Sequence, residues 1–409
     1  MACQGVPRLL ADSTNLIIQL VLIIAVAAVA GLLAYRLKQP LILGYLIAGI
    51  LLGPFTPGPR ADVESLRFLT EIGVALLLFV MGAGMAPERF RQVGKVVILG
   101  GLVQTGLVVC LGLAVGPLLG FDLKQGLLLG AIIAQSSSAV IIKVLESRGE
   151  TGSLHGRIAV GMSVIQDVTS GPLLLILLVF FGDTSRTAGD VALAVGEVFG
   201  IAIATYILGR IFWPRILGLV GRYGHAELTL LTALALALGG GIAVNALGLS
   251  FAVGAFLAGL VVAGSNYRQE AISRMLPLRD VFAALFFVSI GMFFNPASIL
   301  DEPWVFLGLL AAVVLGKGLL SVGVVSLFKY PMGSALLAGL LLAQMGEFAF
   351  VLAIIGLDRG VVEESLFSLV IAVAIVSIGA NSLILDSASP VLAVAVKMTK
   401  IVKNRIRVD

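Results

Sequence analysis

The chain has 409 residues, of which 59% are hydrophobic and only 12% are charged. Soluble domains carry about 25% charged residues, so this composition excludes an aqueous globular fold and indicates a chain that lies in a lipid bilayer. The formal net charge is +4, but the basic residues are spread over short loops, which favours contact with a membrane surface over binding to nucleic acid. The two cysteines, Cys3 and Cys110, provide no disulfide framework.

Apolar segments of about 20 residues, long enough to cross a bilayer as helices, recur along the whole chain. None shows the strict alternation expected of barrel strands, so we predict an all-α integral membrane protein with about 13 transmembrane helices. The predicted spans are residues 15–36, 40–55, 68–86, 94–120, 124–145, 156–181, 189–213, 226–247, 249–265, 277–294, 304–328, 332–356 and 363–387.

Most of the 27 lysine and arginine residues lie in alternate loops between these spans. Lys317 lies within a span, and the remaining exceptions are Arg8, Arg60, Arg67, Lys124, Arg186 and Arg359. Basic loops stay cytoplasmic during insertion, so we expect a multi-pass protein with its N-terminus outside and its C-terminus in the cytoplasm. We expect the bacterial inner (plasma) membrane.

Three short patterns occur twice, in the same order, at offsets of 208 to 210 residues. They pair residues 44–49 with 254–259, residues 77–80 with 285–288, and residues 130–135 with 339–344. The paired spans are an odd number of spans apart, so the two repeats have inverted topology. Inverted repeats favour a carrier that works by alternating access over a simple pore.

Polar residues interrupt the fifth and twelfth spans, which correspond to each other in the two repeats. They are Gln135, Ser136, Ser137 and Ser138 in the fifth span and Gln344 and Glu347 in the twelfth. Hydroxyl and exposed carbonyl oxygens are ligands that hard cations prefer, so the pair of interrupted spans predicts an ion site near the middle of the membrane. Glu347 is either a second cation or proton site or, as we favour, a neutraliser of the positive end of a half-helix.

Asp167 follows Gln166 near the middle of the sixth span. A carboxylate at that depth can bind a proton or a small cation but not comfortably both, which is the chemistry that an antiporter needs. The alternative is a structural acid held in an ion pair.

Lys317 lies midway along the eleventh span. A buried ammonium group needs a partner, and Asp167 is the natural candidate, whereas the alternative is a structural role at helix ends.

Several function classes lack their motifs. The sequence contains neither a phosphate-binding loop nor a cluster of cysteines and histidines, so we expect no enzyme activity, no cofactor and no transition metal.

Four stretches of the sequence resemble the monovalent cation:proton antiporter-2 family, and within it the potassium-efflux branch with its glutathione-gated bacterial members. They are LGYLIAGILLGP at 43–54, GMSVIQD at 161–167, PLRDVFAALFFVSIGM at 277–292 and QMGEFAFV at 344–351. The resemblance implies a sodium/proton-antiporter-like fold with two crossed discontinuous helices, and a homodimer. It also implies that Asp167 is the shared cation and proton site, beside Gln166 and the serines, and that Lys317, Glu347, Gln135 and Gln344 are core charge partners.

The resemblance further implies a division of the chain into scaffold and core. It predicts scaffold helices at 1–86 and 225–295, core helices at 87–187 and 296–388, a linker helix at 188–224 and a basic cytoplasmic tail at 389–409. Gated relatives carry a soluble domain after the membrane part, so a regulatory domain or subunit at the C-terminus is a possible partner.

The predicted function is exchange of K⁺ for H⁺ by an elevator-type mechanism. The Gln166–Asp167 pair favours K⁺, because many sodium-selective relatives have two adjacent acids there. The alternatives are a potassium channel, a Na⁺/H⁺ antiporter and an organic-anion symporter on the same fold.

Overall fold

The computed structural model describes most of the membrane-embedded chain. The described residues are 5–37, 39–57, 63–84, 95–181, 226–247, 250–265, 267–381 and 384–385, with isolated positions between 193 and 207. Within these ranges the secondary structure is helical throughout, without strands, which confirms the predicted all-α class.

The structure describes sixteen helices. In chain order they are α1 (Gly5–Arg36), α2 (Leu41–Leu52), α3 (Val63–Gly84), α4 (Lys95–Leu118), α5 (Leu123–Ala134), α6 (Ser138–Ser147), α7 (Leu154–Phe180), α8 (Ala226–Asn245), α9 (Phe251–Ala263), α10 (Arg268–Met292), α11 (Ala297–Asp301), α12 (Pro303–Ala311), α13 (Gly318–Leu327), α14 (Met332–Leu342), α15 (Glu347–Asp358) and α16 (Glu364–Asn381). A π-helical turn, Ala312–Lys317, joins α12 to α13.

Among the described residues, eight helical stretches are long and apolar enough to cross a membrane, and one of them, Leu123–Ser147, comprises α5 and α6. The pair α14 and α15, bent by 43° at its break, can provide a ninth span. Shorter apolar helices occupy Leu41–Leu52, Phe68–Gly84 and Phe251–Ala263. Together these elements account for every predicted span except the seventh. That span, the predicted linker helix (188–224) and the predicted tail (389–409) fall largely or wholly outside the described residues.

One helix extends beyond its predicted span. The tenth predicted span is 277–294, whereas α10 begins at Arg268 and continues through Pro277. Residues 268–276 mix charged and polar side chains with apolar ones, so a prediction based on hydropathy does not include them in the span.

The helices group into two compact units. Unit 1 comprises residues 1–92 and 171–296, and unit 2 comprises residues 93–170 and 297–409. Every site residue predicted from the sequence belongs to unit 2. The roles of the two parts as scaffold and core stay predictions.

Glycines in unit 1 show that the two repeats pack alike. A Cβ atom added to Gly49 on α2 would lie 2.0 Å from the carbonyl oxygen of Val288 on α10, and one added to Gly259 on α9 would lie 2.1 Å from that of Phe79 on α3. Gly49 and Gly259 are repeat equivalents, and each permits backbones to approach more closely than any side chain allows.

Unit 2 shows the same correspondence. A Cβ atom on Gly130 of α5 would lie 2.5 Å from the carbonyl oxygen of Val109 on α4, and one on Gly339 of α14 would lie 2.9 Å from that of Gly318 on α13. Gly339 follows Gly130, and Gly318 follows Val109, by the same interval of 209 residues that separates the two repeats. The short apolar patterns therefore mark equivalent helix contacts.

The loop that joins α6 to α7 is held by a small polar cluster. Glu150 accepts a hydrogen bond from Arg148 (3.3 Å), and its carboxylate lies 3.0 Å from Nε2 of His155. Burial acts to raise the pKa of Glu150, but the hydrogen bonds and charges of Arg148 and His155 hold that pKa below its ordinary value. The cluster fixes the start of α7, the helix that carries Asp167.

Candidate functional site

Two breaks in the helices of unit 2 contact each other directly. The first separates α5 from α6 at residues 135–137, and the second separates α14 from α15 at residues 343–346. The backbone N–H of Gly346 donates to the carbonyl of Gln135 (3.0 Å), and the Ser136 hydroxyl donates to the carbonyl of Leu342 (2.9 Å). Carbonyl groups that lose their helical hydrogen bonds at one break thus accept hydrogen bonds from residues of the other break. Buried backbone groups need such partners where water is absent.

Gln344 holds the two breaks together through its side chain. Its amide nitrogen donates to the carbonyl of Ser137 (3.1 Å), and its amide oxygen accepts from the N–H of Ser137 (3.3 Å). Its repeat equivalent, Gln135, is also completely buried, and its amide nitrogen donates to the carbonyl of Ala131 (3.4 Å). The side-chain oxygen of Gln135 is one of the few buried polar atoms without a hydrogen-bond partner in the described structure.

Lys317 is completely buried at the end of the π-helical turn. Its ammonium group donates to the carbonyls of Gln135 (2.7 Å) and Gln344 (2.8 Å). These carbonyls lie at the C-terminal ends of α5 and α14, where unsatisfied C=O groups and the helix dipoles favour a cation. The expected ion pair with Asp167 is not formed, because in the described part of the chain this ammonium contacts carbonyls and no carboxylate. The geometry matches the alternative role of Lys317 at helix ends.

Asp167 lies on α7 within reach of both breaks. Its carboxylate lies near Ser138, the first residue of α6, and close enough to Glu347 for the two charges to interact. Glu347 is the first residue of α15, and its carboxylate lies 3.5 Å from the Ser137 hydroxyl. The N-terminal position of Glu347 agrees with the predicted neutralisation of a half-helix, while its proximity to Asp167 keeps the second prediction open.

Exposure divides these residues into two groups. Asp167, Ser138 and Glu347 are partly exposed, whereas the remaining predicted site residues are buried: Gln135, Ser136, Ser137, Gln166, Lys317 and Gln344. The accessible group contains two carboxylates and a hydroxyl, all of them oxygen donors suited to a hard monovalent cation or a proton. Two nearby carboxylates repel each other, so either positive ion relieves that repulsion.

Gln166 faces the first break, with both ends of its amide engaged. Its oxygen accepts from the N–H of Ser136 (2.9 Å), and its nitrogen donates to the side-chain oxygen of Gln104 (2.8 Å). Gln104 in turn donates to the hydroxyl of Ser321 (3.3 Å). Neither Gln104 nor Ser321 was found from the sequence, although a polar residue within an otherwise apolar span was the signal available.

Helix α16 supports the second break with two further residues that the sequence analysis missed. The Asn381 amide donates to the carbonyl of Leu340 (2.8 Å), near the end of α14. The Ser377 hydroxyl accepts from the N–H of Met345 (3.4 Å), inside the break.

Comparison with known proteins gives consistent results. The family model described as "Sodium/hydrogen exchanger, transmembrane" matches residues 22–388. YbaL of Escherichia coli strain K12, which is named as a cation/proton antiporter, is 36% identical over 377 residues, covering 90% of this chain and 68% of YbaL. K(+) efflux antiporter 5 of Arabidopsis thaliana is 33% identical over 370 residues, covering 89% of this chain and 65% of that protein. The chain thus spans about two thirds of the length of these relatives.

A solved structure shows the same fold. The sodium proton antiporter MjNhaP1 from Methanocaldococcus jannaschii at pH 8 matches with a TM-score of 0.68 and 19% identity, covering 94% of this chain and 98% of that one. The predicted sodium/proton-antiporter-like fold is therefore confirmed.

Proposed function

The chain belongs to the sodium/hydrogen exchanger family, and on this basis we propose that it is a cation/proton antiporter that exchanges K⁺ for H⁺ at Asp167. The observation that carries the proposal is the position of the partly exposed Asp167, whose carboxylate lies near Ser138 at the first break and near the carboxylate of Glu347 at the second. This group can accept one positive ion at a time.

The charge of Lys317 determines the stoichiometry of the proposed exchange. Its ammonium group donates hydrogen bonds to the carbonyls of Gln135 and Gln344, so we propose that Lys317 keeps its positive charge throughout the cycle. Asp167 is then the group whose occupant changes. One K⁺ replaces one H⁺, and the exchange is electroneutral.

Ion binding and transport are linked by the cost of moving charge. An unoccupied Asp167 would carry an uncompensated negative charge through a low-dielectric region, which is costly, whereas the protonated or K⁺-bound group is not penalised in this way. We propose an elevator-type movement in which unit 2 carries the occupied site across the membrane. The location of all the site residues within unit 2 supports this proposal.

Potassium is the proposed substrate rather than sodium for two reasons. The names of relatives such as K(+) efflux antiporter 5 refer to potassium. This chain also has the uncharged Gln166 where many sodium-selective relatives have a second acid.

We further propose that the protein is a homodimer in a bacterial inner membrane, with its N-terminus outside. A regulatory domain or subunit is proposed at its C-terminal side.

Proteoliposomes that contain a trapped pH dye test the proposal. A pulse of K⁺ should change the internal pH in vesicles with the wild-type protein, more strongly than Na⁺ or Li⁺, and Asp167→Asn should abolish the change. Gln125→Ala, a capping substitution at the start of α5 and far along the helix from its break, serves as the control that retains exchange. Equal pH changes in the wild type and Asp167→Asn would overturn the assignment of the site.

The same vesicles separate the antiporter from a channel. An electroneutral exchanger gives the same pH change whether or not the membrane potential is clamped. A K⁺ flux that continues in Asp167→Asn and follows the membrane potential would instead support the channel.

A further inference from the structure

Gln104 is a completely buried amide on α4, and the proposed exchange at Asp167 makes no direct use of it. Its side-chain oxygen accepts a hydrogen bond from the amide of Gln166 (2.8 Å), and its nitrogen donates to the hydroxyl of Ser321 (3.3 Å). Gln104 therefore lies between the helix that carries Asp167 and the helix segment that follows Lys317.

These contacts form one directional series of hydrogen bonds. The N–H of Ser136 donates to Gln166, Gln166 donates to Gln104, Gln104 donates to Ser321, and Ser321 donates to the carbonyl of Lys317 (2.8 Å). Each member is buried, with an exposed fraction of at most 1%. Unmade hydrogen bonds are costly in such a place, so the series fixes which way each amide points.

The orientation of Gln166 matters because of what lies beside it. If its amide turned over, its NH₂ group would face the N–H of Ser136 and its oxygen would face the oxygen of Gln104, so both bonds would be lost. Gln166 precedes Asp167, and Ser136 lies two residues before Ser138, which lies near the Asp167 carboxylate. The bond between Gln166 and Ser136 therefore sets how α7 and the first break meet at the ion site.

From these contacts we infer that Gln104 is a positioning residue for cation binding at Asp167. It acts through Gln166, by holding the Gln166 amide in the one orientation that fixes the break beside Asp167. The inference rests on the proposed function, since it assigns Gln104 to the same ion site.

Gln104→Met tests the inference, because methionine has a similar length and removes both hydrogen bonds. The Gln166 nitrogen then loses its buried acceptor, so the break beside Asp167 is less well fixed and binds K⁺ more weakly. In proteoliposomes made with the full chain, the half-saturating K⁺ concentration should rise about tenfold, with the maximal rate changed less than twofold. Thr105→Val is the matched control, because Thr105 is the next buried residue of α4 and bonds only within its own helix, to the carbonyl of Gly101 (2.9 Å).

A double substitution tests whether Gln104 acts through Gln166. If it does, adding Gln104→Met to Gln166→Met changes the half-saturating K⁺ concentration no further than Gln166→Met alone. The inference would be overturned if the half-saturating K⁺ concentration of the double variant rose by the product of the two single effects. A Gln104→Met protein with an unchanged half-saturating concentration, or with a reduced maximal rate alone, would also overturn it.

Ser321→Ala provides the test if Gln104→Met yields no folded protein. It removes the acceptor at the far end of the series and should raise the half-saturating K⁺ concentration severalfold, whereas an unchanged value would overturn the inference. Failure of the proposed function looks different. Wild-type vesicles would then show no K⁺-dependent exchange, whereas failure of the inference leaves wild-type exchange intact.

Discussion

Lys317 shows how one buried charge can stabilise two broken helices. Its ammonium group donates to one carbonyl from each break, at 2.7 and 2.8 Å, and so takes the place of the backbone donors that an unbroken helix would supply. The positive charge also faces the negative ends of α5 and α14. Lys317 therefore stabilises the structure of the site, whereas Asp167 is the group that we propose binds the ion.

Substitution of Lys317 should lower the stability of the folded protein. Lys317→Met leaves the carbonyl of Gln344 without this donor and should destabilise the purified protein by about 1–3 kcal/mol, measured by thermal unfolding in detergent. Lys329→Met, which removes an exposed lysine from the connection between α13 and α14, should change stability by less than about 0.5 kcal/mol.

The same experiment distinguishes the observed contacts from the ion pair expected from the sequence. If Lys317 were paired with Asp167, then Asp167→Asn would remove the orphaned charge left by Lys317→Met and restore stability. Contacts with backbone carbonyls predict no such recovery. Recovery in the double variant would contradict the geometry described above.

Sequence reasoning found the charged residues of the site but not the groups that Lys317 contacts. Asp167 and Lys317 could be identified because a charge at membrane depth is costly and therefore needs a function. The partners of Lys317 are backbone carbonyls, and these become available only where a helix is broken. Gln104 was missed because an uncharged amide within a span costs far less than a charge and attracts less attention.

At the scale of helices, packing in unit 1 depends on glycines that occupy equivalent places in the two repeats. Gly49 lets α2 approach α10, and Gly259 lets α9 approach α3. A methyl group at either position would lie about 2 Å from a backbone oxygen. Since a backbone oxygen cannot rotate away as a side chain can, the helices would have to separate.

Gly49→Ala and Gly259→Ala should therefore destabilise the protein to a similar extent, by about 1–3 kcal/mol each. Gly239→Ala on α8 is the control, because no atom lies within 4 Å of the added Cβ. Thermal unfolding of the purified variants measures the difference. Equal stabilities of Gly49→Ala and Gly239→Ala would show that this close approach does not hold the helices together.

In the described part of the chain, each predicted span corresponds to one or more helices, because the length of an apolar segment follows from the thickness of the bilayer. The start of α10 at Arg268 could not be predicted, because its first turns mix charged with apolar residues. The π-helical turn before Lys317 was also not predicted. A π-helical turn contains one more residue than an α-helical turn but has no distinctive amino-acid composition, so a hydropathy profile does not reveal it.

At the scale of the whole molecule, the two repeats contribute equivalent parts to one site. The first break comes from one repeat and the second from the other, and their polar residues satisfy each other across the contact. The repeat was visible in the sequence because the close helix contacts require glycine at matching positions. The interaction of the two breaks was not visible, because it depends on folding residues that are about 209 positions apart into contact.

The central claim is that K⁺ and H⁺ compete for Asp167, and proton release on K⁺ binding tests it most directly. Purified protein in a weakly buffered solution, at a pH where the site is largely protonated, is titrated with K⁺ while the pH is recorded. The account predicts the release of about one proton for each K⁺ bound to the wild type, and no release from Asp167→Asn. K⁺ binding without proton release, or equal release from both proteins, would contradict it.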